Sequence, residues 1–323
     1  MKLKKVINCI FIVGILLILL DCNIVYGANI KKGEYSEKYK EWLELSDEEK
    51  NKTIAPFPVN IRKNKVDNSF MGKIKSIFKS MSIPSSYDLR DHINIEVKEQ
   101  KNTGACWAFT ANTSLESYLA LHNETYDFSE RHIDYDTSTS FIDGTNSYAL
   151  NRTVGSGGFA STAFTYYSRG SGPILEEDMP FENNETSIAL YELPKDVSVK
   201  KVDNMIYFPN IFKKYDENNN LIYMDADEVE YSKDEITEIR KQIKEHIMNN
   251  GGISVAIYAP DNGWYYNEWT HASFVNDPNI EANHAVTVIG WDDKYSKTNF
   301  NSQRQPKEDG AYIVLNSWGS EWR

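Results

Sequence analysis

Cysteine is almost absent. The chain has three in 323 residues, and two of them, Cys9 and Cys22, fall within the first 27. Beyond that point Cys106 stands alone, so an internal disulfide framework is excluded. Basic charge is also short: 35 Lys and Arg face 47 Asp and Glu, a net of −12. The first 27 residues carry +2 and residues 28–83 carry +4, which leaves −18 on residues 84–323. A body that acidic repels nucleic acid and anionic lipid, so no nucleic-acid partner is expected. Only Val6 to Leu20 forms a long apolar run, and no later stretch is apolar enough to span a bilayer. Internal repeats are lacking. His92, His122, His132 and His246 show no ligand-like spacing, and His271 beside Trp264 and Trp269 reads as surface packing. No metal and no cofactor are assigned.

What is present starts with a leader. Lys2, Lys4 and Lys5 precede the apolar run, and Val25-Tyr26-Gly27 puts compact residues where a signal peptidase reads. Residues 1–27 are expected to be a signal peptide, with the product secreted or on the cell surface. Residues 28–82 are polar, charged and helix-prone in patches. Glu34 to Lys52 places Tyr35, Tyr39, Trp42, Leu43 and Leu45 near helical spacing, and Ala55-Pro-Phe-Pro58 breaks that helix. Phe70 to Phe78 is short, basic and amphipathic.

The texture changes at Ile83-Pro-Ser-Ser-Tyr-Asp-Leu-Arg90. A helix is expected to begin at Cys106, with Trp107, Phe109, Ala111, Leu115 and Leu119 as its buried stripe and Asn123 marking its end. Gly155-Ser-Gly-Gly158 runs into a second helix. Strands are expected over Val197–Val202, Gly252–Tyr258, Ala285–Trp291 and Gly310–Leu315, with an amphipathic helix from Ser232 to Asn249 through Ile236, Ile239, Ile243 and Ile247. A helical first half and a β-rich second half imply two lobes and a cleft.

Four short motifs carry chemistry. Cys106 sits in Gly104-Ala-Cys-Trp107, six residues after Gln100. Far downstream come Asn283-His284-Ala-Val and Asn316-Ser-Trp-Gly319. A thiol near pKa 8.5 is a poor nucleophile at neutral pH. A helix N-terminus and a nearby imidazolium both favour the thiolate. Cys106 at a helix start and His284 at a strand start fit those two devices. Asn316 can fix the imidazole, Trp318 can shield that bond, and the Gln100 amide with the Cys106 N–H can stabilise an oxyanion.

Cys, His and Asn in this order and with these neighbours resemble a papain-like cysteine protease. The resemblance covers roughly residues 83–322. Ser129-Glu130 resembles the family's Leu-Ser-Glu segment, with Phe128 in place of Leu, and Gly157-Gly158 matches the paired glycines of a substrate-cleft wall. The resemblance implies an α+β, papain-like two-lobe fold, with a helical N-terminal lobe, a β-barrel-like C-terminal lobe and the active-site cleft between them. It implies a cysteine endopeptidase made as a zymogen: residues 28–82 as inhibitory propeptide and 83–323 as catalytic domain. Cys106 is then nucleophile, His284 base and later acid, Asn316 orienter and Gln100 oxyanion donor. Gly157, Gly158, Asn283 and Trp318 would bind substrate. The expected partners are protein or peptide substrates and the chain's own propeptide, with a monomeric body. The alternative is a catalytically weak or inactive homologue that binds peptides.

Departures from the family are visible. Thr103 stands where the family often has Cys. His284 follows Cys106 by 178 residues, against roughly 130–150, which places extra loops in 134–152 and 209–232; another is expected near 293–309. After Trp322-Arg323 the family's Gly-Tyr strand does not follow, so the catalytic domain is expected to be truncated and less stable. Asp216 to Asp227 has the look of a calcium loop, but its sixth position is Leu221 and its twelfth Asp227. It reads as a solvated acidic loop.

Overall fold

The computed structural model describes residues 40–41, 44–46, 49 and 82–322, apart from 142–143, 146–151, 183–187, 190–191, 195–197, 203–204, 210, 219, 225–229, 261–262, 276 and 278–279. The signal peptide, most of residues 28–82 and Phe70 to Phe78 lie outside the described residues. Within the expected Glu34–Lys52 helix, Lys40 and Glu41 are helical but a turn at Glu44–Leu45 interrupts. Ser46 and Glu49 then cap each other reciprocally: the Glu49 N–H donates to Ser46 Oγ at 3.3 Å, and the Ser46 N–H donates to Glu49 Oε2 at 2.9 Å. Such a box starts a helix, so the segment breaks where the periodicity alone continued.

The core is organised around helix α1, Cys106–Leu121. Its first half is buried on nearly every side, from Cys106 through Thr110 with Asn112 and Thr113. The expected one-sided stripe was too narrow. Ala111 and Leu115 are only partly buried, while Thr113 and Ser117 are buried, because α1 lies between two packed bodies. On one side Trp107 and Ala108 pack with Ile133 of α2 (Glu130–Asp136) and with Ala163, Tyr166 and Tyr167 of α3 (Ala160–Ser168). On the other side Thr110 Oγ1 meets Ser254 Oγ at 2.7 Å, Ser114 Oγ donates to the Gly252 carbonyl at 2.7 Å, and the Gly252 N–H donates to Ser117 Oγ at 2.8 Å. Short hydroxyl side chains let the helix sit close to the sheet and satisfy its buried polar groups.

That sheet has β8, His284–Asp292, as its spine. β7 (Ile253–Ile257) and β1 (Ser86–Asp88) pair antiparallel with it, and β9 (Ala311–Leu315) pairs with it also. The eight residues His284–Trp291 are all buried, as expected of a strand covered on both faces. Helix α4, Lys233–Asn250, starts with a capping box from Ser232 to Glu235 and packs Ile243 and Ile247 against Val288 and Trp291. The β-rich lobe is thus borne out as a sheet, but among the described residues no pairing closes it into a barrel.

Of the expected Val197–Val202 strand, the described residues 198–202 are not in a strand, and the chain bends at Val199–Lys200. The loop read as acidic and calcium-like is a hairpin between β4 (Phe212–Tyr215) and β5 (Leu221–Met224). Asp216 Oδ1 accepts the N–H groups of Asn218 and Asn220 at 2.9 and 2.7 Å, an Asx turn that spends the carboxylate on the backbone.

Candidate active site

The motifs that are far apart in sequence meet where α1 and β8 cross. Cys106 opens α1, and His284 opens β8. Both are buried, at 6% and 5% exposure. The Ala285 N–H, next to His284, is one of three backbone donors directed at the Cys106 sulfur; the others are its own and that of Trp107. These donors favour a thiolate, as the helix start predicts. Burial opposes them and wins, pushing the thiol up to about 11. His284 is also held below its ordinary value by burial, against the pull of its bond to Asn316. Burial thus disfavours each charge taken alone, and among the described residues no hydrogen bond joins the two groups. The expectation of a thiol lowered by the helix N-terminus is not met in this state, because desolvation outweighs the dipole.

The imidazole tautomer follows from its partner. His284 Nε2 lies 2.7 Å from Asn316 Oδ1. The same oxygen accepts the Ser317 N–H at 2.8 Å, which fixes the amide with its carbonyl toward the ring. A carbonyl oxygen only accepts, so Nε2 carries the proton and Nδ1 keeps its lone pair. Trp318 stacks on His284 with centroids 4.6 Å apart and planes 27° from parallel, and Trp322 meets Trp318 edge-on at 4.8 Å. The shield expected of Trp318 is a direct ring-on-ring contact.

Gln100 is brought to the same place and is almost fully buried. Its Oε1 accepts Ser317 Oγ–H at 2.7 Å, its Nε2 donates to the Thr103 carbonyl at 2.8 Å, and Thr103 Oγ1 donates back to the Gln100 carbonyl at 2.7 Å. One amide proton remains uncommitted. The segment Lys98–Gln100 runs antiparallel to Ser317–Gly319: the Gln100 N–H donates to the Ser317 carbonyl at 2.7 Å and the Gly319 N–H to the Lys98 carbonyl at 3.0 Å. Gly319 closes this turn at φ 85°, where a side chain would be strained. Ser317 was missed in the sequence. Its only signal was its place between Asn316 and Trp318.

The glycine wall is built by a buried ion pair. Asp134 and Arg152 bond directly, the Gly155 N–H donates to Asp134 Oδ2 at 2.8 Å, and Arg152 Nη2 donates to the Ser156 carbonyl at 2.6 Å. Arg152 also stacks over Trp107 at 4.8 Å. A Cβ on Gly158 would lie 2.6 Å from the Trp107 ring, and one on Gly104 would lie 2.8 Å from the Gly155 carbonyl oxygen. Gly158 is therefore required by packing on the nucleophile's helix. Gly157 and Gly158 are both buried. Asn283 spends its side chain on Ala259, accepting its N–H at 2.7 Å and donating to its carbonyl at 3.2 Å.

A second, largely buried cluster, with Asp127 at its exposed edge, is centred two residues before Gln100. Lys98 Nζ contacts Glu116 Oε1 at 2.8 Å, Asp127 Oδ1 at 2.7 Å and Glu130 Oε1 at 2.9 Å. Burial alone would lower the Lys98 ammonium, but Glu130 and Glu116 hold it above its ordinary value. With three carboxylates to one ammonium, burial pushes Glu130 up to about 8. Ser129 caps α2 and so delivers Glu130 into this cluster. Among the described residues no group of three or more His, Cys, Asp or Glu is placed to hold a metal.

Residues 83–323 match the family model described as "Papain family cysteine protease". The chain belongs to the papain family. Papain-family relatives include falcipain-2b of Plasmodium falciparum (isolate 3D7), 26% identical over 240 residues, covering 74% of this chain and 40% of that protein. Vignain of Vigna mungo is 23% identical over 300 residues, covering 92% of this chain and 68% of that protein. Among solved structures, the cysteine protease and lectin-like domains of Cwp84, described as a surface layer associated protein of Clostridium difficile, share 25% identity at a TM-score of 0.57. That match covers 89% of this chain and 54% of the Cwp84 chain. The chain thus spans about two fifths of the falcipain and about half of the solved Cwp84 chain. The two-lobe papain-like architecture, mixed helix and strand, is the shared fold. No helix among the described residues is long and apolar enough to cross a membrane.

Proposed function

We propose that this chain is a cysteine endopeptidase that hydrolyses peptide bonds through an acyl-enzyme and is made as a zymogen. The observation that carries the reading is the tautomer of His284. With Asn316 holding Nε2–H, Nδ1 is the acceptor left for the Cys106 proton.

Each further step needs only residues already in place. Nδ1 takes the proton, and the thiolate attacks the substrate carbonyl. Charge gathers on the oxygen, and the free Gln100 amide proton and the Cys106 N–H receive it. The tetrahedral species collapses as the imidazolium returns its proton to the leaving amine. Water, deprotonated by the same nitrogen, then releases the acyl group. Moving one proton from sulfur to nitrogen creates an ion pair whose charges stabilise each other in a low-dielectric site. Burial disfavours each charge alone. Trp318 keeps water from the Asn316 bond, Gly157 and Gly158 offer backbone to an extended peptide, and Asn283 contributes through its main chain, since its side chain is used by Ala259.

One solved Cwp84 structure is described as being after propeptide cleavage, at 25% identity and TM-score 0.51. By analogy residues 28–82 are the inhibitory segment, residues 1–27 direct export, and the product acts outside the cell as a monomer on protein or peptide substrates. Cys106→Ala tests the core of this reading. Peptide hydrolysis should vanish with the fold retained, and residual turnover above a tenth of the parent's would remove Cys106 from the role. A protein that only binds peptides would show no turnover before the substitution either.

A further inference from the structure

A groove of about 580 Å³ opens at the end of β8 opposite His284, between β1, the last turn of α4 and β9. Its floor is apolar, made by Tyr87, Trp291, Met248 and Ile313. Tyr87 is stacked between His92 at 4.6 Å and Trp291 at 5.3 Å. The backbone beside these rings is pinned. Trp291 Nε1 donates to the Pro84 carbonyl at 3.1 Å, and the Asp293 N–H donates to the Ser85 carbonyl at 2.8 Å. The rim is acidic. Asp88 is paired with Arg90, whereas Asp91 and Asp292, also on the lining, form no ion pair among the described residues. Trp291 lies seven residues beyond His284, roughly 23 Å along β8 at about 3.3 Å per residue. The groove is therefore separate from the candidate active site.

The chain supplies a segment whose chemistry fits it. Ser82 lines the groove, and the twelve residues ahead of it read Phe70-Met-Gly-Lys-Ile-Lys-Ser-Ile-Phe-Lys-Ser-Met81. They lie outside the described residues. The segment carries Lys73, Lys75 and Lys79 and no acidic residue, in a chain whose net charge is −12. Phe70, Ile74, Ile77, Phe78 and Met81 recur at the spacing that gathers apolar side chains on one helical face. Such a segment matches an apolar floor under a carboxylate rim. Continuity adds proximity. Successive Cα atoms are about 3.8 Å apart, so Ile77 is within about 19 Å of Ser82. A tether this short gives a high effective concentration, so modest contacts suffice to hold the segment.

We propose that residues 70–81 bind this groove, with Ile77 and Phe78 on the Tyr87–Trp291 floor and the lysines against Asp91 and Asp292. The groove then anchors the inhibitory segment at a site remote from the catalytic pair. This rests on residues 28–82 being that segment. Cleavage ahead of Ser82 removes the tether and leaves only the contacts, so release follows processing.

Two measurements test the docking, both on the full chain carrying Cys9→Ser, Cys22→Ser and Cys106→Ala, so that no processing intervenes. In the first, Ile77→Cys is combined with Met248→Cys and treated with a short bis-maleimide. A link within one chain is expected. The control pair, Ile77→Cys with Trp269→Cys at an exposed position outside the groove, should give none. A link between two chains would assign the groove to a second copy, and that result, no link, or equal linking in both pairs each overturns the proposal. In the second, amide exchange over residues 73–81 is compared with that in Asp91→Asn/Asp292→Asn, which keeps the rim's shape. Exchange should quicken by about threefold to tenfold, the range that two exposed ion pairs supply, and unchanged exchange overturns the proposal. Activity separates this from the zymogen reading. Full-rate hydrolysis by the unprocessed parent, with the intramolecular link intact, would remove the inhibitory role and leave the docking site standing.

Discussion

Cys106 is a buried thiol whose own environment holds the proton on. Its folded pKa is raised, so the thiolate population rises only as pH climbs toward about 11. In the unprocessed chain, alkylation of Cys106 by iodoacetamide should accelerate steadily from pH 7 to beyond pH 9. A rate already level at neutral pH would show an ion pair at rest. Around it, Ser317 and Gln100 act as a unit. Gln100→Ala should lower kcat by about 10²–10³ with little change in KM, since the donor serves charge present only in the transition state. Ser317→Ala leaves the donor present but loosens it, and misplacement on the order of 1 Å costs up to about 10²-fold. A smaller kcat loss than for Gln100→Ala is expected, and a change confined to KM would show that both residues only hold substrate. That Cys106, His284, Asn316 and Gln100 belong together was legible, because the chemistry proposed for them demands those residue types beside those neighbours. Ser317 was not, because a serine in a turn has many uses and only the fold brings it to Gln100, 217 positions away.

Elements were legible where periodicity is strong and blurred where burial is two-sided. The helix from Lys233 to Asn250 shows its isoleucines at regular spacing and its capping box in plain sequence. Helix α1 was placed correctly at its start, yet its buried Asn112, Thr113 and Ser117 looked like solvent positions, since polar residues facing a second lobe mimic polar residues facing water. The expected Val197–Val202 strand was an alternation that finds no partner strand among the described residues, and the chain bends at Val199–Lys200 instead. Contacts between elements yield a sharp prediction. Gly158→Ala drives a methyl into the Trp107 ring, and overpacking of this kind costs about 1–3 kcal/mol. Arg152→Met leaves the fully buried Asp134 carboxylate unpaired, which costs about 3–5 kcal/mol. Chemical denaturation should rank Arg152→Met as the less stable of the two. Wild-type stability in Arg152→Met would mean that the pair is dispensable to the glycine wall.

At the scale of the whole molecule, a surplus of carboxylates is locked inside an already acidic body. Glu130 is raised to about 8 by burial, and Glu176 nearby to about 7. Glu116 is raised by the same cause, and Asp127, Lys98 and the Tyr167 ring complete the surroundings. A carboxyl raised above its unfolded value stabilises the fold fully below about pH 4.5. That contribution is lost as pH rises through 7 to 8. The melting temperature should therefore fall between pH 5 and pH 8, and Glu130→Gln should flatten that fall. An unchanged slope in Glu130→Gln would place the pH dependence elsewhere. Of this cluster only Ser129-Glu130 stood out in the sequence, as a family segment; its contact with Lys98, beside Glu116 and the half-exposed Asp127, is made by the fold.

The most direct test of the central claim is covalent trapping. The chain, processed to remove residues 28–82, is treated with a peptidyl epoxysuccinate at neutral pH and examined by mass spectrometry alongside residual peptidase activity. One adduct per chain on Cys106, with activity lost in proportion to labelling, is the predicted result. No adduct on Cys106, or full activity after stoichiometric labelling, would contradict the assignment of Cys106 and His284 as the nucleophile and its base.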